Sequence, residues 1–385
     1  MNSTDGAPVA DDRPQVRFPS TPTALVAAVD DAGHLASLAV LVGRGARAAG
    51  GAIVTVPVSA DAAAGMGDVR LPLAETFELD GPGTIKAETE IALGLTIDDA
   101  LVLDAEAMED MLAPLGEVDV DLPTDVVDRR GRTVAPEGLA ARDAAELAAV
   151  LTARDDDVPA VQQYRATGAV WSAIAARTGS GDAAGAAAAA SGAPLATSAE
   201  PGTEAARVES LLAEVLSGPA RHRSLRADPI DAELNPRRAD VTSLDRSELA
   251  LVFGQIAPGR VSAPATGLSY RIESPFPATE LEERGWTRQD VAYESIVFLL
   301  FAKANVLSVD TTEGDVPDVT KIAVNDEALV EDLVGAAELF GEVEFEVAET
   351  ELIGIDATVR LGESFLDFLA EGDVQPGPGT GDGDD

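Results

Sequence analysis

Residues 111–126 read MLAPLGEVDVDLPTDV. A helix-like run closes at Pro114, a turn follows at Gly116, and Val118, Val120 and Leu122 then alternate with Asp119 and Asp121. Successive side chains of a strand point to opposite faces, so 117–122 is expected to bury its aliphatic side and show its carboxylates to water. A metal-ligand role for the two aspartates would need partners from other loops. Helix, turn and strand in that order, repeated along a chain, is the pattern of a layered α/β fold.

The same pattern extends in both directions. SLAVLVG (37–43), AIVTVPV (52–58) and ALVLD (100–104) read as buried strands. Residues 83–95 read as an amphipathic helix stopped by Gly94, 105–115 as another, and 139–154 and 160–178 as two more. Together they predict a three-layer α/β/α sandwich over 22–265. Within it, the Ala/Gly/Ser-rich stretch 179–203 reads as a disordered insertion, followed by a helix at 205–216. Residues 268–366 repeat strand and helix signals on a smaller scale: LSYRIES, a helix at 287–304, NVLSVDT, VTKIAV, a helix at 326–340, VEFEVA and DATVRLG. A second, smaller α/β domain is expected over 266–370. Residues 1–21 read as a flexible lead-in and 371–385 as a disordered acidic tail. The terminal GDGDD lacks the flanking helices and closing Glu of a calcium loop.

Composition excludes several functions. The chain has 385 residues and a formal net charge of -41. Such a surface repels phosphate backbones, so no nucleic-acid partner is expected, and a cytoplasmic transcription regulator lacks the basic stripe it needs. There is no cysteine, hence no disulfide, thiolate metal site or cysteine nucleophile. The two histidines, His34 and His222, lie far apart and neither adjoins a Ser/Asp cluster in sequence, which argues against a histidine-based site. The one basic cluster is RHRSLR, with Arg221, His222, Arg223 and Arg226. It reads as a solvated helix or strand edge, or as a receptor for an acidic partner or phosphate. No apolar run is long enough to span a bilayer.

The run 81–126, GPGTIKAETEIALGLTIDDALVLDAEAMEDMLAPLGEVDVDLPTDV, resembles the LytR-CpsA-Psr family. The carriers are Leu93-Gly94, Ile97-Asp98, Val102-Leu103-Asp104, and Leu115-Gly116 followed by Val118-Asp119-Val120-Asp121-Leu122-Pro123. GLAARDAAELAAVLTAR (138–154) is similar to the family's GLQHLDGEQALAYVRSR helix. YRIESPF (270–276), VLSVDT (306–311) and IDATVRLGESF (355–365) resemble the LytR C-terminal domain often appended in actinobacteria. The resemblance implies an α/β/α sandwich with an apolar isoprenoid tunnel, working at the outer face of the membrane. It also implies transfer of a glycopolymer phosphate from a polyprenyl carrier to peptidoglycan. That chemistry needs cations around a pyrophosphate and a carboxylate-held divalent metal.

At the charged positions the chain departs from the family. R-S-D-T falls on His34-Leu35-Ala36-Ser37, S-I-P-R-D-T on Thr55-Val56-Pro57-Val58-Ser59-Ala60, and R-S-R on Thr152-Ala153-Arg154. Losing one charge-assisted donor from such a site lowers the rate by about 10²–10³. The expectation is therefore a catalytically inactive envelope protein with no catalytic residue, metal or cofactor. Arg154 and Arg165 remain as residual ligand-binding positions, unless they simply pair with Asp155, Asp156 and Asp157. Its expected partner is a polyprenyl-linked intermediate or an envelope protein, and its membrane contact an anchor upstream of this sequence. The alternative is an active phosphotransferase using Mg²⁺, its site rebuilt from Arg70, Arg154 and Arg165.

Overall fold

The computed structural model describes residues 13–18, 20–45, 49–62, 70–179, 202–231, 233–235, 237–263 and 266–371. Most of the low-complexity stretch and nearly all of the acidic tail lie outside these residues. The chain forms two compact α/β units, residues 20–262 and residues 1–19 with 263–385. Strand β1 (Gln15–Val16) belongs to the second unit.

The first unit carries β2 (Thr23–Val29), β3 (Leu35–Gly43), β4 (Gly51–Val56), β5 (Asp99–Leu103), β6 (Val118–Leu122), β7 (Val126–Val127), β8 (Thr133–Ala135), β9 (Gly138–Arg142), β10 (Ala220–Ser224), β11 (Ala227–Pro229) and β12 (Thr242–Leu244). Its helices are α1 (Leu73–Asp80), α2 (Ile85–Leu93), α3 (Ala105–Leu112), α4 (Ala144–Thr152), α5 (Ala160–Gly179), α6 (Glu204–Leu216) and α7 (Arg246–Ile256). The central sheet runs β10-β4-β3-β2-β5. β2 and β4 are antiparallel to β3, while β5 and β10 run parallel to their neighbours.

Alternation along these strands creates the three layers. Ala24, Val26, Ala28, Ala39, Leu41 and Ile53 face one core with Met108 of α3, Leu147 of α4, Trp171 of α5 and Leu212 of α6. Leu25, Ala27, Leu38, Val40, Val42, Ala52, Val54 and Val56 face the other, with Leu73 and Phe77 of α1, Ile85 of α2 and Phe253 of α7. Because both faces are covered, the strands read as unbroken apolar runs. Each fully buried aliphatic side chain contributes about 1.5–3 kcal/mol.

The VDVDL strand behaves as its alternation predicts: Val118, Val120 and Leu122 are buried, Asp119 and Asp121 exposed. Gly94 ends α2 in the left-handed conformation, φ 61°. A Gly94→Ala chain should lose about 1 kcal/mol, read as a lower thermal midpoint, because a Cβ is strained at that φ.

Two expectations are corrected here. Residues 139–154 are not one helix. Asp143 and Glu146 form a reciprocal capping box that starts α4 at Ala144. The preceding residues pair antiparallel with β6, Val118 opposite Arg142 and Leu122 opposite Gly138. Residues 13–16 are not a loose lead-in either. β1 pairs with Glu351–Leu352, and Arg13 donates to the carbonyls of Ala348 (3.1 Å) and Asn325 (2.5 Å).

The second unit holds β13 (Ser269–Glu273), β14 (Asn305–Asp310), β15 (Thr320–Val324), β16 (Val343–Val347), β17 (Glu351–Leu352) and β18 (Ala357–Arg360), with helices α8 (Ala278–Glu283), α9 (Arg288–Phe301), α10 (Val330–Ala337) and α11 (Glu363–Glu371). Its sheet order is β14-β13-β18-β15-β16. Phe298, Phe340, Phe365 and Phe368 cluster with ring centroids 5.7–6.4 Å apart, tying α9 to α11. Among the described residues no helix is long and apolar enough to cross a membrane.

Candidate functional site

β4 ends where Pro57 removes a ladder donor, and the chain turns through Val58 and Ser59. Beside this turn lie the start of α1, the segment from the end of α4 to the start of α5, and Ala239-Asp240. Together they enclose a cleft of about 350 Å³. Val58, Ser59 and Arg154, three positions that the family resemblance marks for charged groups, all line it. Ala36, at the expected aspartate position, is buried.

The chemistry of the cleft is acidic. Glu75, Glu78, Asp155, Asp156 and Asp240 line it against a single guanidinium. Arg154 is already engaged, with Nη1 2.8 Å from Glu78 Oε1 and 3.2 Å from the Leu35 carbonyl, and Nε 3.3 Å from Asp156 Oδ1. Arg237 pairs with Glu75 at 2.8 Å, and Arg129 pairs with Asp156. Asp240 accepts the Ala160 N–H at 3.2 Å, a favourable place for a carboxylate at the N-terminus of α5. Ser59 Oγ lies 3.0 Å from Thr242 Oγ1 and is buried. Lines of approach for a diphosphate are therefore repulsive, and the one cation present is held by two carboxylates.

The other expected residues do not join it. Arg165 is exposed on α5 and is not among the lining residues. Arg70 pairs with buried Asp61. Asp119 and Asp121 stand on the exposed face of β6, and no group of three or more metal-binding side chains occurs among the described residues. Alongside the cleft, sharing Val158 and Gln163 with it, lies a crevice of about 20 Å³ lined by both apolar and polar side chains. That is room for about one water, far short of an isoprenoid chain.

Each histidine has a Ser, Thr or Asp neighbour that was not expected, though the two are held in separate places. His34 Nδ1 lies 3.3 Å from Asp30 Oδ1, with Arg129 against both. Burial raises the Asp30 pKa, but the N–H groups of His34 and Ala32 outweigh it, leaving the carboxyl below its ordinary value. His222 Nε2 is 3.3 Å from Thr55 Oγ1, which is also 3.2 Å from Ser224 Oγ. The Tyr164 hydroxyl lies 3.0 Å from the Thr55 carbonyl and 2.9 Å from that of Leu225, and burial holds the phenol well above its usual range. Thr55 is fully buried while Ser224 is exposed, and the cluster fastens β10 and α5 to β4. Strand pairing brings residue 222 to residue 55, which no local pattern could reveal.

Sequence reasoning also missed Glu75, Glu78 and Asp240. The first two are three apart on α1, a spacing that places both on one helix face. Asp240 carries no such signal.

No family model matches this chain, and no curated protein matches it. Among solved structures, it is similar to TagV of Bacillus subtilis at 16% identity and TM-score 0.39, covering 60% of this chain and 92% of that one. It is similar to a LytR-Csp2A-Psr enzyme of Actinomyces oris at 17% identity and TM-score 0.41, over 62% and 95% of the two chains. A third is the LytR-CPS2A-psr family protein YwtF (TagT) with bound octaprenyl pyrophosphate lipid, at 16% identity and TM-score 0.37, over 60% and 85%.

Proposed function

We propose that this chain is a non-catalytic binding protein of the cell envelope, resembling the LytR-CpsA-Psr family and serving cell-wall glycopolymer assembly. One observation carries the reading: the cleft lined by Val58, Ser59 and Arg154 presents five carboxylates and one guanidinium already paired with two of them. A migrating phosphoryl needs cations there, and the charge has the opposite sign. Of the two occupants the sequence suggests, a partner protein offering cationic side chains fits this charge better than a lipid diphosphate. The phosphotransferase alternative asks Arg70, Arg154 and Arg165 to converge, whereas Arg70 is tied to Asp61 and Arg165 lies outside the lining.

Polyprenyl-pyrophosphate hydrolysis measured with Mg²⁺ tests the proposal. The expected result is no turnover, and a rate comparable with that of an intact family member sinks it. A second measurement addresses the cause. Glu78→Gln combined with Asp156→Asn removes both partners of Arg154, and affinity for inorganic pyrophosphate is expected to rise about tenfold, about 1.4 kcal/mol. Unchanged affinity in calorimetric titration would show that these carboxylates do not govern the cleft.

A further inference from the structure

The two edges of the first unit's central sheet are finished differently. At β5, the Ala100 N–H donates to Glu204 Oε1 at 2.8 Å, and Arg207 of α6 binds Asp99. Side chains thus cover that edge. At the other end β10 pairs, among the described residues, only with β4. Arg221 and Arg223 stand beside Ala52 and Val54 in the parallel register, on one face of the strand. His222 turns to the opposite face, toward Thr55. Neither Arg221 nor Arg223 has a carboxylate partner among the described residues, in a chain of net charge -41.

The second unit ends its sheet with the complementary strand. β16, VEFEV, pairs among the described residues only with β15, and Glu344 and Glu346 are exposed on one face. Lys321 reaches Glu346 only at 4.0 Å, and Val347 is 51% exposed. β10 and β16 each have five residues. Laid edge to edge in the direction that puts the two charged faces on the same side, the two arginines meet the two glutamates, because both pairs have the alternate spacing of one strand face.

We propose that β10 of one copy of this chain adds to β16 of a second copy, forming a head-to-tail contact. Backbone hydrogen bonds along the edges supply the attraction, and the Arg–Glu pairs fix register and partner. A symmetric contact is disfavoured on either strand, since β10 on β10 sets arginine against arginine and β16 on β16 sets glutamate against glutamate. The competing acidic strand is β6, with Asp119 and Asp121. An added strand touches neighbours on both faces, and the other face of β6 is closed, with Val118, Val120 and Leu122 at most 3% exposed. At physiological salt the screening length is about 8 Å, so paired edge charges outweigh the remote net charge. The opposite reading is that charged edges only keep strands from adding.

Sedimentation velocity of the full chain over a concentration series separates the two. The expected result is concentration-dependent association, weakened about tenfold or more by R221E/R223E and likewise by E344R/E346R. Mixing those two variants is expected to restore it, because each supplies the charge the other lacks. Matching thermal midpoints establish that each variant is folded. A chain monomeric at every concentration overturns the proposal. So does association indifferent to these pairs, or association abolished by D119K/D121K instead.

Discussion

An Arg142→Met chain is expected to unfold at a higher temperature than the natural one, by about 2 kcal/mol of added stability. Arg142 closes β9 opposite Val118 and is 1% exposed. Its Nη2 donates to the Pro136 carbonyl at 2.7 Å, but Nε is buried without a partner. No carboxylate lies within ion-pairing distance among the described residues. Taking an ion out of water without a counter-charge is unfavourable by several kcal/mol. Losing the bond to Pro136 returns about 1 kcal/mol of that, and less in practice, since Pro136 is exposed and its carbonyl can bind water. Methionine keeps most of the volume and the unbranched shape, so no large cavity opens.

Chemical denaturation decides the matter. A raised midpoint with an unchanged slope shows that the guanidinium is a burden on the fold. A lowered one shows that something satisfies Nε, such as a buried water or an anion, and then Arg142 joins the list of ligand-binding candidates. Arg142→Ala serves as the contrast, because it removes the charge but leaves a void, and its gain should be smaller or reversed.

Much of the fold was legible because its signals are local. Strands 35–43 and 51–56 announce themselves as apolar runs, Gly94 as a helix stop, and VDVDL as alternation. What stayed hidden depends on partners remote in sequence. GLAAR has helical composition, yet it is a strand because β6 lies beside it and Asp143 delays the helix. RHRSLR reads as a solvated helix or strand edge, and ARHRS is an edge strand, but its partner strand lies about 170 positions away. The candidate site divides the same way. Val58, Ser59 and Arg154 were found by order and spacing, whereas Asp240 enters the cleft only through the pairing of Ser59 and Asp61 with Thr242. Arg165 lies outside the cleft lining, since a family register gives its place in sequence but not which face of α5 meets the cleft.

The second large effect is pH dependence at Glu248. This residue sits in the first turn of α7, is buried, and accepts the Arg226 N–H at 2.8 Å. Burial is the main cause that pushes its pKa up to about 7, with Asp245 and Asp228 adding to it and the Arg226 N–H and guanidinium opposing. The folded state therefore holds this proton more tightly than the unfolded chain, whose carboxyl titrates near 4.5. Stability from this group is fully present below that value and is lost as pH rises through about 7. The difference spans about 3 kcal/mol. Glu248→Gln keeps an acceptor for Arg226 and cannot ionise, so the variant should match the natural chain near pH 4.5 and exceed it by up to about 3 kcal/mol at pH 8. The remaining acidic groups titrate in both chains and cancel in the comparison. Parallel stability profiles for the two chains would remove Glu248 as the source.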